Sequence, residues 1–401
     1  MPKGIKILLI REYKTAFILP YTPFSKKKMK GLFGVFLLFL VLPNFQSISD
    51  RQCASDVTKM WLDVVIIIDN CKIASTNLVY ETILSLFDKN LQIGTGYADP
   101  RSTRVGFITY NYNATDVADF YKLQSYDDLK SQIQRLKMTP LATTTISRMD
   151  TALYAAMNMI NSTAGFRDSY KKVVIVFTNV HGSYKTQPPK DVSKALQMKG
   201  IPVITVNTGS SSDTQSWLKN IASTNMAFAI YDGNVTQEIQ KAMTDTNCYC
   251  NSGWIQYTWP WNANQKAYGT CVYAPNVQSN REGAKQYCHQ HDQNAYLVNE
   301  LDQQKRTFNF AVLNSMSSSP INAFYNGLIN LNNVWFWDQP DQKPLQPLDP
   351  NSGAPPARAA CVADMKYSDG TTAWTPVSCA NNFHFLCEKV ACDTDNYCEY
   401  A

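Results

Sequence analysis

Nine of the eleven cysteines in this 401-residue chain lie at or beyond Cys248, and only Cys53 and Cys71 precede it. That split divides the chain into two parts that must fold by different means. The part before Cys248 has to be held by apolar burial. The part after it reads as a loop-rich domain closed by cross-links, as small extracellular folds with little regular core are. So many cysteines also place the chain in an oxidising compartment.

Between about 60 and 246, short apolar runs ("LDVVIIID", "RVGFITYNY", "KVVIVFTN", "IPVITVNTG", "MAFAIYDG") alternate with amphipathic stretches such as "STNLVYETILSLFDKNL", "SYDDLKSQIQRLK" and "RMDTALYAAMNMI". Strands spaced by helices predict βαβ units and a mainly parallel sheet covered on both faces. The first domain is therefore read as doubly wound α/β, and the "TDTNCYC" stretch marks its end. Beyond it, Trp, Asn and Pro become frequent, and the Pro-rich stretch "DQPDQKPLQPLDPNSGAPPARAA" predicts a long loop.

The N-terminus carries Lys26, Lys27, Lys28 and Lys30, then an apolar core from Gly31 to Leu42, then Ser47 and Ser49. This is the pattern of a secretory signal over 1–49, with a functional start near Met29. Its apolar core is shorter than the roughly 20 residues a spanning helix needs. Residues 1–49 hold eight Lys/Arg and one Glu, so the formal +5 of the whole chain becomes −2 from Asp50 onward. That balance gives no support to nucleic-acid binding. Sequons at Asn113, Asn161 and Asn234 suit a glycoprotein.

Three features of residues 60–245 resemble a von Willebrand factor A domain: the strand-to-Asp start "VVIIIDN", the Thr-rich turn "TTTISRMDTALYAA", and the strand end "VVIVFTN". In that family three loops form a metal-ion-dependent adhesion site, supplying Asp-x-Ser-x-Ser, a Thr and an Asp. A Mg²⁺ ion there needs six oxygens at about 2.0–2.1 Å. In this chain Asp69 holds the first position, but Cys71 and Ile73 stand where two hydroxyls belong, and Lys72 adds a positive charge. Ser147 takes the Thr position and Asn179 replaces the last Asp. Asp69, Ser147 and Asn179 are therefore expected to be remnants, with no Mg²⁺ bound. Cys71 with His181 is the one nucleophile–base pair this domain offers; the competing reading is a small side chain filling a vacated site.

The second part, about 253–389, resembles a C-type lectin-like domain, an α+β fold. The resemblance rests on Gly253-Trp254, "REGAKQYC", "YNGLINLNNVWFW", Trp374 and "HFLCEK". It implies pairing of Cys288 with Cys387 and of Cys361 with Cys379. By position, Cys250 and Cys271 bracket the opening hairpin, Cys392 and Cys398 close a short tail at 390–401, and Cys53 and Cys248 flank the first domain, whose ends should lie close together. Cys71 is left as a free thiol, although sequence alone does not fix connectivity. Sugar-binding members hold Ca²⁺ through a loop triplet and a Trp-Asn-Asp triplet. Asp349-Pro350-Asn351 resembles the first, but Thr375 and Pro376 follow Trp374, so half the cage is missing and no Ca²⁺ is expected. Asp349, Asn351 and Trp374 are the candidate glycan-facing residues. Trp335, Trp337 and Tyr325 are further rings that either stack on a sugar or fill the core. His289, His291 and Asp292 suggest zinc, but residues two apart point away from each other on a helix.

The resemblances, domain order included, imply a secreted, non-enzymatic recognition protein of the kind expanded in nematodes and linked to innate immunity. Extracellular glycans or glycoproteins are the expected partners. The alternative is an adhesion or matrix component that uses the lectin-like fold as a scaffold.

Overall fold

In the computed structural model the residues described are 49–71, 76–97, 99–162, 167, 169–180, 187–260, 266–340 and 361–398. The signal segment, Lys72, Ile73, His181, Asp349 and Asn351 lie outside them.

The first domain is a six-stranded sheet of order β3-β2-β1-β4-β5-β6. Its strands are β1 (Asp63–Asp69), β2 (Arg104–Tyr110), β3 (Ala114–Ala118), β4 (Lys172–Thr178), β5 (Val203–Asn207) and β6 (Ala227–Ala229). All neighbours are parallel except β2 and β3, which form a hairpin. The unbroken apolar run of β1 is explained by helices on both faces. Val64, Ile66 and Ile68 pack with α1 (Thr76–Ser85), α2 (Tyr126–Met138) and α6 (Val235–Thr246). Val65 and Ile67 point the other way, toward α3 (Met149–Ser162), α4 (Pro189–Met198) and α5 (Ser212–Lys219). Helix α2 is capped by Ser125, whose hydroxyl accepts the Asp128 amide, with acids in its first turn and bases in its last.

At the N-terminal end of β1, Asp63 is fully buried between two buried arginines. Arg104 donates to both its carboxylate oxygens at 2.8 and 2.5 Å, and Arg167 donates at 3.1 Å.

The second domain contains β7 (Ile255–Trp259), β8 (Lys266–Tyr273), α7 (Arg281–His291), β9 (Tyr296–Leu297), α8 (Gln303–Ser315), β10 (Ala323–Tyr325), β11 (Leu328–Leu331), β12 (Val334–Trp337), β13 (Cys361–Lys366), β14 (Thr372–Val377), β15 (His384–Phe385) and β16 (Cys387–Val390). They form sheets of order β7-β8-β16-β9 and β14-β13-β10-β15, plus the β11-β12 hairpin. Asn280 and Asp302 cap α7 and α8.

The structure brings together the five cysteine pairs named above: Cys53–Cys248, Cys250–Cys271, Cys288–Cys387, Cys361–Cys379 and Cys392–Cys398. Cys71 is free and buried.

The segments outside the two folds cross over. The arm at 49–54 leads into the first domain but lies on the second: Gln52 bridges to Tyr268, and the Gly269 amide donates to Arg51 O at 2.7 Å. Gly269 is required there, since a Cβ would stand 2.7 Å from Gln52 O. Conversely, residues 391–398 follow the second domain but pack beneath the first. Tyr397 joins Trp61, Tyr170 and Tyr249 in an aromatic cluster, and its hydroxyl is 2.8 Å from that of Tyr170. The described residues from Ser49 onward accordingly belong to one compact unit.

Candidate functional site

The C-terminal edge of the first sheet is where parallel α/β folds place ligands. Asp69 ends β1 there, level with Tyr110 at the end of β2. Its oxygens are already engaged. Oδ2 accepts the hydroxyls of Ser147 at 2.8 Å and Thr178 at 2.7 Å, and Oδ1 accepts the Cys71 amide at 3.0 Å. The hydroxyl of Thr178, one residue before Asn179, is the group that β4 brings to Asp69. Asn179 instead lies against Gly209, where an added Cβ would meet its own at 3.0 Å.

Tyr110 closes the site from beside β1. Its hydroxyl is buried beside those of Thr178 and Ser147, and burial, reinforced by the Asp69 charge, pushes its pKa well above the ordinary value. The Cys71 thiol donates to Ile146 O at 3.0 Å. Burial first, and Asp69 second, push that thiol up to about 12.

The described residues supply few of the oxygens a hard divalent ion needs. They offer one carboxylate, three of whose roughly four lone-pair positions are taken by two hydroxyls and an amide, together with a neutral phenol and a protonated thiol. Mg²⁺ needs a near-octahedral set of oxygen lone pairs. Among the described residues no group of three or more His, Cys, Asp or Glu stands ready to hold a metal.

A thiol with that pKa is about one part in ten thousand ionised at pH 8. Cys71 should therefore resist a disulfide reagent in the native protein and react within minutes once denatured. A thiol titration checks this, and rapid labelling of the native chain would contradict the burial described.

In the second domain the aromatic candidates turn inward, which corrects the reading of Trp374 as glycan-facing. Trp374 is 5 % exposed and packs edge-on against Trp337, with ring centroids 5.8 Å apart. Its indole N–H donates to Glu300 Oε2 at 2.7 Å. Trp335, Trp337 and Tyr325 are also buried. The structure shows why: Trp374 caps a buried charge cluster. The Arg306 guanidinium lies 4.6 Å from the Trp374 ring, 2.9 Å from Asp364 and 3.6 Å from Glu300. Burial, then the Glu300 charge, hold the Asp364 carboxyl well above the usual range. No sequence signal marked Glu300, Arg306 or Asp364, because charged residues ordinarily face water whether they lie in a loop, a helix or a strand.

His291 stacks on Tyr273 at 4.2 Å, and Asp292 pairs with Lys389 at 2.7 Å, so these groups are committed to packing and not to a metal.

Comparison with known proteins agrees with this division. Residues 63–242 match the von Willebrand factor type A domain. Over 375 residues, 87 % of the chain, the sequence is 22 % identical to C-type lectin domain-containing protein 160 of Caenorhabditis elegans, and the chain spans 56 % of that relative's length. Among solved structures, proximal thread matrix protein 1 from the mussel byssus, in a form with a zinc-occupied MIDAS motif, covers 48 % of this chain and 48 % of its own, with 19 % identity and a TM-score of 0.38. Human lithostathine covers 35 % of this chain and 90 % of its own, with 21 % identity and a TM-score of 0.26.

Proposed function

We propose, for a chain that joins a von Willebrand factor type A domain to a C-type lectin-like domain, secretion and recognition of extracellular glycans or glycoproteins without a bound metal and without catalysis. A place in innate immunity is part of the same reading, supported by the domain order. Five disulfides suit an extracellular setting. No described helix is long and apolar enough to cross a membrane. The sequon residues Asn113, Asn161 and Asn234 are all exposed.

The observation that carries the metal-free reading is the engagement of Asp69 by Ser147, Thr178 and the Cys71 amide. A site that recognises ligands through a cation needs open coordination positions, and here three donors already occupy the carboxylate's roughly four lone-pair positions. What this edge offers instead is side-chain surface. Tyr112, Leu141 and Ile146 are 43 %, 38 % and 43 % exposed on the loops around Asp69, and the Arg148 guanidinium lies 4.2 Å from the Tyr112 ring. An aromatic ring, two aliphatic groups and a stacked cation suit contact with a protein or with the apolar face of a sugar. This surface equally favours the second reading, an adhesion or matrix protein with a protein partner.

A glycan-array and whole-microbe binding screen, run with Ca²⁺ and again with EDTA, tests the proposal. Binding that survives EDTA is the expected result. Binding abolished by EDTA would overturn the metal-free reading, and protein binding without glycan binding would favour the adhesion reading.

A further inference from the structure

Gly253-Trp254 and the His291-Asp292 pair, far apart in sequence, meet on the surface of the second domain. His291 ends α7 with its side chain exposed, and its ring stacks on Tyr273 at 4.2 Å with the two planes 13° apart. Trp254 and Tyr287 flank it, their ring centroids 5.8 and 6.2 Å from that of His291. Their planes lie 32° and 17° from the imidazole plane, so the rings form a shallow bed of near-parallel faces. Trp254, Tyr273 and Tyr287 are each half-buried. The bed is held in place by its neighbours. The buried Lys389 carries its ammonium 4.5 Å from the Trp254 ring, Tyr287 packs edge-on against Phe385 at 5.3 Å, and the Tyr273 hydroxyl lies beside that of Tyr287.

Asp292 stands at the rim of this bed with its side chain 26 % exposed. Its Oδ2 accepts the Lys389 ammonium at 2.7 Å and its Oδ1 the Asn294 amide at 2.9 Å. Burial alone would raise its pKa, but Lys389 and the Asn294 amide outweigh that and hold the carboxyl below its ordinary value. It is therefore an ionised acceptor. Among the described residues, these two donors leave about half of the carboxylate's roughly four lone-pair positions for a ligand.

We infer that this bed is a glycan subsite, in which the rings take the C–H faces of consecutive pyranose units of a β-linked oligosaccharide and Asp292 accepts a sugar hydroxyl. The inference rests on the glycan-recognition reading above and names where in the second domain that recognition takes place. Aromatic faces carry negative charge density and attract the weakly positive C–H groups of a sugar ring. β-Linked pyranoses lie in an extended ribbon with C–H groups on both faces, which suits neighbouring rings in near-parallel planes. The rim decides between a sugar and an apolar protein surface. Covering Asp292 with apolar side chains would strip it of water without replacing the lost hydrogen bonds, whereas sugar hydroxyls replace them. No cation is needed.

The test uses the whole disulfide-intact protein in EDTA, titrated by calorimetry with cellotetraose and with chitotetraose. Binding of at least one of them is expected. His291→Glu, at an exposed helix end, sets a negative charge on the bed beside Asp292 and is expected to weaken binding about tenfold or more. Trp254→Leu keeps apolar bulk but removes one ring, and is expected to weaken it about three- to tenfold. Tyr231→Ala removes a ring of the first domain that is 59 % exposed, and is expected to change nothing. If Trp254→Leu folds poorly by circular dichroism, His291→Glu alone decides. Wild-type binding that persists undiminished in His291→Glu overturns the site and leaves the glycan reading standing. Failure of both probes, with other glycans bound on the array, overturns the ligand class; no glycan bound at all overturns the reading along with the site.

Discussion

Replacing Asp63 with asparagine is expected to destabilise the first domain by about 3–5 kcal/mol, a large share of the roughly 5–15 kcal/mol margin of an ordinary domain. The size of the effect comes from what is left behind. Arg104 and Arg167 are 1 % exposed and both aim at Asp63. Asparagine supplies no charge, so two guanidinium groups stay buried side by side without a counter-ion. Burial and the neighbouring Arg104 already hold Arg167 below its ordinary pKa even with Asp63 in place. Urea unfolding followed by far-UV circular dichroism measures the loss. Replacing all three residues with apolar side chains of similar volume should recover much of it, because the penalty lies in the broken cluster and not in the missing bonds. Wild-type-like stability in Asp63→Asn would mean that the arginines reach water.

The second large effect is expected from Cys53→Ser combined with Cys248→Ser. This bond closes a segment with a sequence separation of 195, the longest span among the five. Losing it should cost about 2–5 kcal/mol, mainly by freeing the unfolded chain. It also frees the base of the arm, which is otherwise held by the Asp50–Lys305 and Arg51–Asp393 ion pairs and by hydrogen bonds at Arg51, Gln52 and Ala54. Calorimetry should therefore show a lower Tm and a broader or more clearly split transition than that of the wild type. Loss of the shorter Cys392–Cys398 link, with a sequence separation of 6, should have a smaller effect.

Much of the first domain was legible because each buried strand is an apolar run and each helix carries a 3.6-residue pattern. The exception is β3. Its burial alternates weakly, with most of its side chains partly or fully exposed, and it has no apolar run to announce it. The sequence reading carried β2 on through Asn111 and Tyr112, where the chain in fact turns into the hairpin. The cysteine partners were legible from the family pattern and from position along the chain.

The site was legible only in outline. Asp69 and Ser147 were found because a strand-to-loop acid and a hydroxyl-rich turn leave local signals. Thr178 and Tyr110 were missed, since their role depends on neighbouring strand ends lying side by side, and a single strand does not reveal that. Trp374 was misplaced for a related reason. Its position follows from a buried carboxylate, Glu300, far away in sequence and needing an N–H donor.

The crossed arm and tail also bear on biosynthesis. Trp61 enters the growing chain early, yet its indole N–H is satisfied by the carbonyl of Asp393, 332 positions later, and its ring is covered by Tyr397. During translation the first domain therefore waits, with an aromatic floor exposed, until the second has been made and its tail returns. A domain that emerges first but matures last needs chaperone cover in the meantime. A chain cut short after 246 would present Trp61 and Tyr170 to quality control as a sticky, unfinished surface.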